Sequence, residues 1–245
     1  MLRTIVLVAG MGLVPLAAPP TPGTVVLKAA DGVAVYAQQY TGGSTTAPVI
    51  LLFHQAGSSK SEYAPIAPRL AQLGYNVVAV DMRAGGDMYT PTNETVQHLG
   101  HSATYLEAFP DMEAALGWAR QSYPKAPVYV WGSSYSAALV FALAAKHAHD
   151  IAAVIAFSPG EYFPDKHFVE NAARNVRVPV FIDSAADAGE EKAARAIYRA
   201  LRSRQKEQYI PKNGIHGSST LRDDRDHDGA SENWDAVTAF LAKLR

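Results

Sequence analysis

Apolar and polar positions change rhythm repeatedly along this chain. Residues 24–28 and 33–38 read as two strands joined at Asp31-Gly32, an Asp-Gly pair of the kind that closes a hairpin. Residues 48–54 form a continuous apolar run, the pattern of a strand covered on both faces. Helical spacing follows over 63–73 and stops at Gly74, a C′ glycine. A strand is predicted over 76–81. Residues 82–106, with Gly85-Gly86 and Pro91, show no regular pattern. Then come a helix over 111–121, a strand over 128–131, an apolar helix over 136–147, and strands over 151–157 and 178–183. A helix over 190–202 and a strand over 207–211 precede the last helix, 231–244. That helix starts at a Ser231 N-cap and carries Trp234, Val237, Phe240 and Leu241 on one face. Alternation of this kind predicts an α/β fold. It implies one domain over 24–245, with a mostly parallel eight-stranded sheet, helices on both faces and an antiparallel lead-in.

The first residues follow a different rule. Arg3 precedes an apolar run over 5–16, and small residues lead into the Pro-rich 17–23. Residues 1–22 fit a secretory signal peptide, although no clean Ala-x-Ala marks the exit. The run is shorter than the ~20 residues a membrane span needs. The expectation is an exported protein, periplasmic or secreted, without a membrane span.

Composition narrows the function classes. Of 245 residues, 48% are apolar and 18% charged, which excludes a disordered chain. The net charge of −1 supplies no strong phosphate-binding field, so nucleic acid is not an expected partner. The basic residues Arg195, Arg199, Arg202, Arg204 and Lys206 sit on or just beyond a helix that also carries Glu190 and Glu191. They read as a solvated face. With no cysteine, thiol nucleophiles, disulfides and cysteine-held metals are all excluded.

In open α/β sheets, ligands bind beyond the carboxyl ends of the strands. The residues just past the predicted strand ends are His54 to Gly57, Asp81, Gly132 to Ser136, Ser158-Pro159, Asp183 to Asp187 and His216-Gly217. They include a serine, an acid and a histidine in that chain order. The segment Val128-Tyr129-Val130-Trp131-Gly132-Ser133-Ser134-Tyr135-Ser136 runs from a strand into a tight turn and then a helix. It resembles the G-x-S-x-G nucleophile elbow of the α/β-hydrolase family, with Ser136 in place of the second glycine. A simple strand–turn–helix with capping hydroxyls is the plainer reading. The resemblance spans roughly residues 24 to 245, and its size and lidless layout look similar to the dienelactone hydrolase branch. The absence of cysteine separates it from the thiol-using members.

The resemblance implies roles for particular residues. Ser134 is the expected nucleophile. Ser133 lies one position early and would point elsewhere. His216, after the last strand, is the expected general base. Asp187 falls where the family's acid usually sits, with Asp183 as fallback and Glu161 or Asp165 as further substitutes. The backbone N–H groups of Tyr135 and Ala56, with Gln55 second, would hold an oxyanion. Tyr63, Tyr135, Tyr162 and Phe163 are candidate aromatic lining. About 20 residues separate the strands ending at 157 and starting at 178, enough for a short helix but not a lid domain.

The implied function is cleavage of small or soluble carboxylic esters through an acyl-enzyme by a monomer without cofactor. The alternatives are amide or peptide cleavage or acyl transfer on the same residues, and a non-catalytic binding protein on the same scaffold. One motif lies outside this reading. Asp224, Asp226, Asp228, Glu232 and Asp235 have the spacing of a calcium loop. Ser231 at position 8 and Asp rather than Glu at position 12 depart from that pattern. A solvated acidic turn is the plainer account, and no metal is expected.

Overall fold

The computed structural model describes residues 21–245. The predicted signal peptide falls almost wholly outside them. Eight strands form one sheet: β1 (Gly23–Lys28), β2 (Ala34–Thr41), β3 (Val49–Phe53), β4 (Asn76–Val80), β5 (Val128–Ser133), β6 (Ala153–Phe157), β7 (Val180–Asp183) and β8 (Lys206–Gln208). Their spatial order is β1-β2-β4-β3-β5-β6-β7-β8. β2 runs antiparallel to both β1 and β4, and every later pairing is parallel. From β3 the chain moves first to β4 on one side and then to β5 on the other. The carboxyl ends of β3 and β5 therefore flank the topological switch point, where such sheets open a crevice.

The period-2 rule sorts the strand side chains between two cores. Val49, Leu51 and Phe53 face one core, with Val128 and Val130. Ile50 and Leu52 face the other, with Tyr129 and Trp131. Both faces are buried, which is why β3 reads as an unbroken apolar run. The first core is covered by α3 (Phe109–Ser122), α4 (Tyr135–Lys146), α5 (Phe168–Ala173) and α6 (Ala188–Ala200). The second is covered by α1 (Ile66–Gln72) and α7 (Ala230–Ala242), the latter presenting the predicted Trp234, Val237, Phe240 and Leu241. Only the six-residue α5 lies in the connection between β6 and β7. No helix of the described residues is long and apolar enough to cross a membrane.

Several local expectations shift. The helix predicted over 63–73 divides into a 3₁₀ turn, Lys60–Tyr63, and α1, whose start follows Pro65. Proline lacks the N–H that a continuous helix would require there. The last helix begins at Ala230, with Gly229 rather than Ser231 as its N-cap and no side-chain cap. The irregular 82–106 holds a short helix, α2 (Glu94–Leu99), capped by Asn93, whose Oδ1 accepts from Val96 N at 2.9 Å.

That segment is held by a buried charge pair. Asp81, fully buried at the end of β4, accepts from Lys60 Nζ and Lys60 N, both at 2.6 Å, and from Glu94 N at 2.9 Å. Glu94 also pairs with Lys60. Replacing Asp81→Ala leaves the buried Lys60 ammonium with only the partly exposed Glu94 as partner. The expected loss is about 3 kcal/mol, read as a lower urea midpoint with an unchanged slope.

Candidate active site

The site begins with the turn between β5 and α4. Ser134 has φ 60° and ψ −121°, a backbone region that side chains other than glycine's avoid. Its neighbours hold it there. Ser134 N donates to Phe157 O at 2.9 Å, tying the turn to β6. Gly132 permits the close approach of helix to strand, since a Cβ there would lie 2.4 Å from Ser136 O. Ser136, in the second small position, makes bonds a glycine could not. Its hydroxyl accepts from Ser133 N at 2.9 Å and donates to Phe53 O at 2.6 Å, linking the turn to β3.

His216 lies in the loop after β8. Its Nε2 is 2.8 Å from Ser134 Oγ, and its Nδ1 is 2.7 Å from Glu190 Oε1. The carboxylate fixes the tautomer: Nδ1–H donates to Glu190, so Nε2 is free to accept the serine proton. The loop is pinned from below. Trp131 Nε1 donates to Ser218 Oγ at 2.9 Å and Trp234 Nε1 to Leu221 O at 2.8 Å. Gly217, at φ 73°, is required, because a Cβ there would meet Ser133 Oγ at 2.4 Å.

The acid that meets His216 is Glu190, not the expected Asp187. Asp187 caps α6, its Oδ1 accepting from Gly189 N at 2.9 Å and from Glu190 N at 3.1 Å. Three residues on, Glu190 turns back from the first helical turn. Its Oε2 accepts from Ala185 N at 3.1 Å while Oε1 faces the imidazole. The spacing Asp187-x-x-Glu190 resembles a capping box and marks Asp187 as the N-cap, but Glu190 reaches Ala185 N and His216 rather than the Asp187 N–H. Burial alone would raise the Glu190 pKa, but hydrogen bonds from His216 and Ser158 bring it down to about 2. Conversely, the Glu190 bond raises the His216 pKa above its usual 6.5, against partial burial.

The substitute acids lie elsewhere. Asp183 is fully buried, accepts from Ser184 N, and is pushed well above the usual carboxylate range by desolvation. Glu161 accepts from Val169 N and Glu170 N at the start of α5, and Asp165 from His167 N. His54, the other histidine after a strand, is also buried. Its Nε2 accepts from Met82 N at 2.9 Å, leaving Nδ1–H for Gln55 O at 2.7 Å. Desolvation lowers its pKa, so it is a neutral structural clamp.

The N–H groups sort themselves by what they already bond. Gln55 N donates to Glu62 Oε2 at 2.8 Å and is therefore spent, which corrects its expected place as second oxyanion donor. Neither Ala56 N nor Tyr135 N has an acceptor among the described residues. Tyr135 follows Ser134 at the start of α4, and Ala56 lies in the loop after β3.

The expected aromatic lining divides. Tyr63 is fully buried, its hydroxyl donating to Phe53 O at 2.7 Å, so it is core rather than lining. Phe163 and Tyr135 are core residues too. Tyr162 stays half-buried beside Ser134, its hydroxyl donating to Ser158 O at 2.7 Å. Burial pushes its phenol up to about 12 against hydrogen bonding with Ser134. Tyr105, which no sequence pattern singled out, stacks on Tyr135 at 4.6 Å between ring centres and remains partly exposed. The segment carrying it is tied to the loop after β3 by Gly86 N to Ser58 O and Met88 N to Gly57 O.

The acidic loop does not converge. Asp224 pairs with Arg222, and Asp226 accepts from Thr220 Oγ1 and Gly229 N. Among the described residues no group of three or more His, Cys, Asp or Glu is placed to hold a metal ion.

A strained serine at a strand–helix elbow, bridged by histidine to a carboxylate at the rim of a parallel sheet, defines a class before any comparison is made. The family model for the alpha/beta hydrolase fold matches residues 48–185, and the chain belongs to that family. Among solved structures it is similar to the Pyrococcus furiosus esterase Pf2001, at 21% identity and TM-score 0.70, covering 94% of this chain and 97% of that one. It is also similar to a dienelactone hydrolase from Anabaena variabilis (14% identity, TM-score 0.71, 92% and 99% covered). A third is Est1E from Butyrivibrio proteoclasticus with ferulic acid bound (15%, TM-score 0.70, 90% and 98%). No curated protein matches the sequence.

The two acids separate experimentally. In an NMR titration, His216 should lose its proton above pH 6.5, and the transition should move to lower pH in Glu190→Gln. Asp187→Ala should leave the titration in place while costing about 1 kcal/mol of stability through the lost cap. A shift in the Asp187 variant instead would return the pairing to that residue.

Proposed function

We propose that the chain is a serine hydrolase that cleaves carboxylic esters of small or soluble substrates through an acyl-enzyme, with Ser134, His216 and Glu190 as the relay. The observation that carries this reading is the continuous hydrogen-bonded chain from Ser134 Oγ through both imidazole nitrogens to Glu190 Oε1. A serine hydroxyl is a weak nucleophile until a base takes its proton. In the proposed reaction Ser134 Oγ attacks the ester carbonyl and its proton passes to His216 Nε2. Glu190 stabilises the imidazolium without itself being protonated, as its low pKa allows. The N–H groups of Ala56 and Tyr135 hold the oxyanion. Collapse expels the alcohol, which takes the proton from His216. Water then attacks the acyl carbon, losing its proton to the same nitrogen, and the acid leaves as Ser134 is restored.

The short β6–β7 connection, holding only α5, supports an open site for soluble esters rather than one buried under a lid. The similar Pyrococcus furiosus esterase Pf2001, and Est1E with ferulic acid bound, support the same reading. We also propose export, on the strength of residues 1–22 alone. Intact mass of the protein from the periplasm or medium, with those residues missing, tests that.

A fluorophosphonate probe should label Ser134, and Ser134→Ala should abolish both labelling and p-nitrophenyl acetate turnover. Well-folded protein that takes no label would point instead to a non-catalytic scaffold. Glu190→Gln should lower kcat by about 10⁴-fold, the scale seen when the histidine's acid is neutralised elsewhere. Asp187→Ala should stay within a few-fold of wild type. Because the neutral imidazole is the base, kcat/KM should climb as pH rises through the raised His216 pKa.

A further inference from the structure

Behind the relay lies a second carboxylate that the reaction above does not use. Glu62, in the 3₁₀ turn after β3, is fully buried. Its Oε2 accepts from Gln55 N at 2.8 Å. Its Oε1 accepts from Ser133 Oγ at 2.7 Å, Gln55 Nε2 at 3.1 Å and Ser219 Oγ at 3.4 Å. Those donors belong to three separate loops: the one after β3, the nucleophile turn, and the one that carries His216. The loops also bond one another around it. Ser218 N donates to Ser133 Oγ at 2.8 Å and Gln55 Nε2 to Ser219 Oγ at 2.7 Å. Tyr89 OH lies 2.6 Å from Ser219 Oγ. Arg222 NH1 donates to the backbone oxygens of Ser61 and Glu62, which brings a guanidinium to the same knot.

We propose that Glu62 is a positioning residue of the active site. Its buried charge fixes the oxyanion loop through Gln55 N–H, so that the next N–H, that of Ala56, is the one presented to the reacting carbonyl, and it adds negative potential behind His216. This inference rests on the hydrolase reading above. An acceptor-only group is what the geometry demands, because every hydrogen bond to the carboxylate comes from a donor. A glutamine cannot replace it. With the amide oxygen at the three-donor corner, its NH₂ faces the Gln55 N–H, and the loop loses its anchor.

Burial raises the Glu62 pKa, and the bonds from Gln55 and Ser133 with the Arg222 charge offset that rise only in part, so it is the converging donors that hold the charge. The ionisable groups around Glu62 are Arg222, Tyr63, Tyr89, Tyr135 and His216. Those acting on His216 are Glu190 and Glu62, and both raise its pKa. Removing the Glu62 charge must therefore move the His216 transition to lower pH.

The test is Glu62→Gln, with kcat, KM and the pH profile of ester hydrolysis measured beside thermal unfolding. The expected result is a fall in kcat of about 10–100-fold, short of or equal to the loss of one oxyanion donor. KM should stay within about threefold, and the acid limb of kcat/KM should move to lower pH. Wild-type kcat would overturn the proposal. So would a reduced kcat with an unmoved limb, which simple loss of packing would produce. Should Glu62→Gln fail to fold, Glu62→Asp decides: it keeps the charge but draws it back by one methylene. It should retain the acid limb while losing kcat, and wild-type kcat there would overturn the assignment. A wild-type protein that neither labels nor hydrolyses esters would fail the hydrolase reading itself, a different result from an active enzyme indifferent to residue 62.

Discussion

The backbone at Ser134 is the constraint on which the rest of the site depends. A non-glycine residue held at φ 60° costs on the order of 1–3 kcal/mol, and it persists only where its surroundings over-determine it. Here they do so from three strands. β5 enters through Gly132, the one residue that lets α4 press onto the strand. β6 takes the Ser134 N–H at Phe157 O, and β3 takes the Ser136 hydroxyl at Phe53 O. The result is a hydroxyl raised above the sheet with no torsional freedom left in its main chain. Ser158, at the end of β6, repeats the device at φ 55°. Its N–H donates to Asp183 O, its carbonyl takes the Tyr162 hydroxyl, and its own hydroxyl accepts the Gly217 N–H. Two strained serines on adjacent strands thus set the nucleophile turn and the histidine loop against each other.

Most of the fold was legible because the sheet is buried on both faces. Continuous apolar runs at β3, β4, β5 and β6 leave little room for another assignment, and glycines 74 and 132 mark where the chain must turn. The elbow and His216 were readable for the same reason, since each directly follows a strand. What failed was anything set by side-chain direction within a turn. Asp187 and Glu190 are both acids past the end of β7, and chain position alone favours the first. The decision between them is made by the start of α6. A residue whose side chain is committed to the helix's free N–H groups is not available to an imidazole. Tyr63 failed similarly, since a tyrosine near a loop reads as lining until its hydroxyl is seen on Phe53 O inside the core.

Buried charge in this molecule takes three different forms, and the differences follow from the partners. Asp81 meets an ammonium and two backbone donors and is structural. Asp183 meets no cation among the described residues, and burial drives it towards the neutral acid. Glu62 lies between these cases, held by hydroxyl, amide and backbone donors with one guanidinium nearby. Charge of that third kind is costly as a stabiliser, since desolvation offsets much of what the hydrogen bonds return. Its presence where three loops meet is more economically explained by what it orients.

The use of a glutamate from the first turn of a helix has its own physical logic. An acid that must hold an imidazole needs to remain ionised when the histidine is neutral. Glu190 is kept so, against its burial, by hydrogen bonds from His216, Ser158 and the Ala185 N–H, and it sits in the first turn of α6, where the helix dipole favours negative charge. A loop aspartate would reach the ring with a shorter side chain but without a helix behind it. Here the aspartate three residues earlier does the work that makes this possible. By capping α6 it fixes the turn from which Glu190 projects, without itself meeting His216.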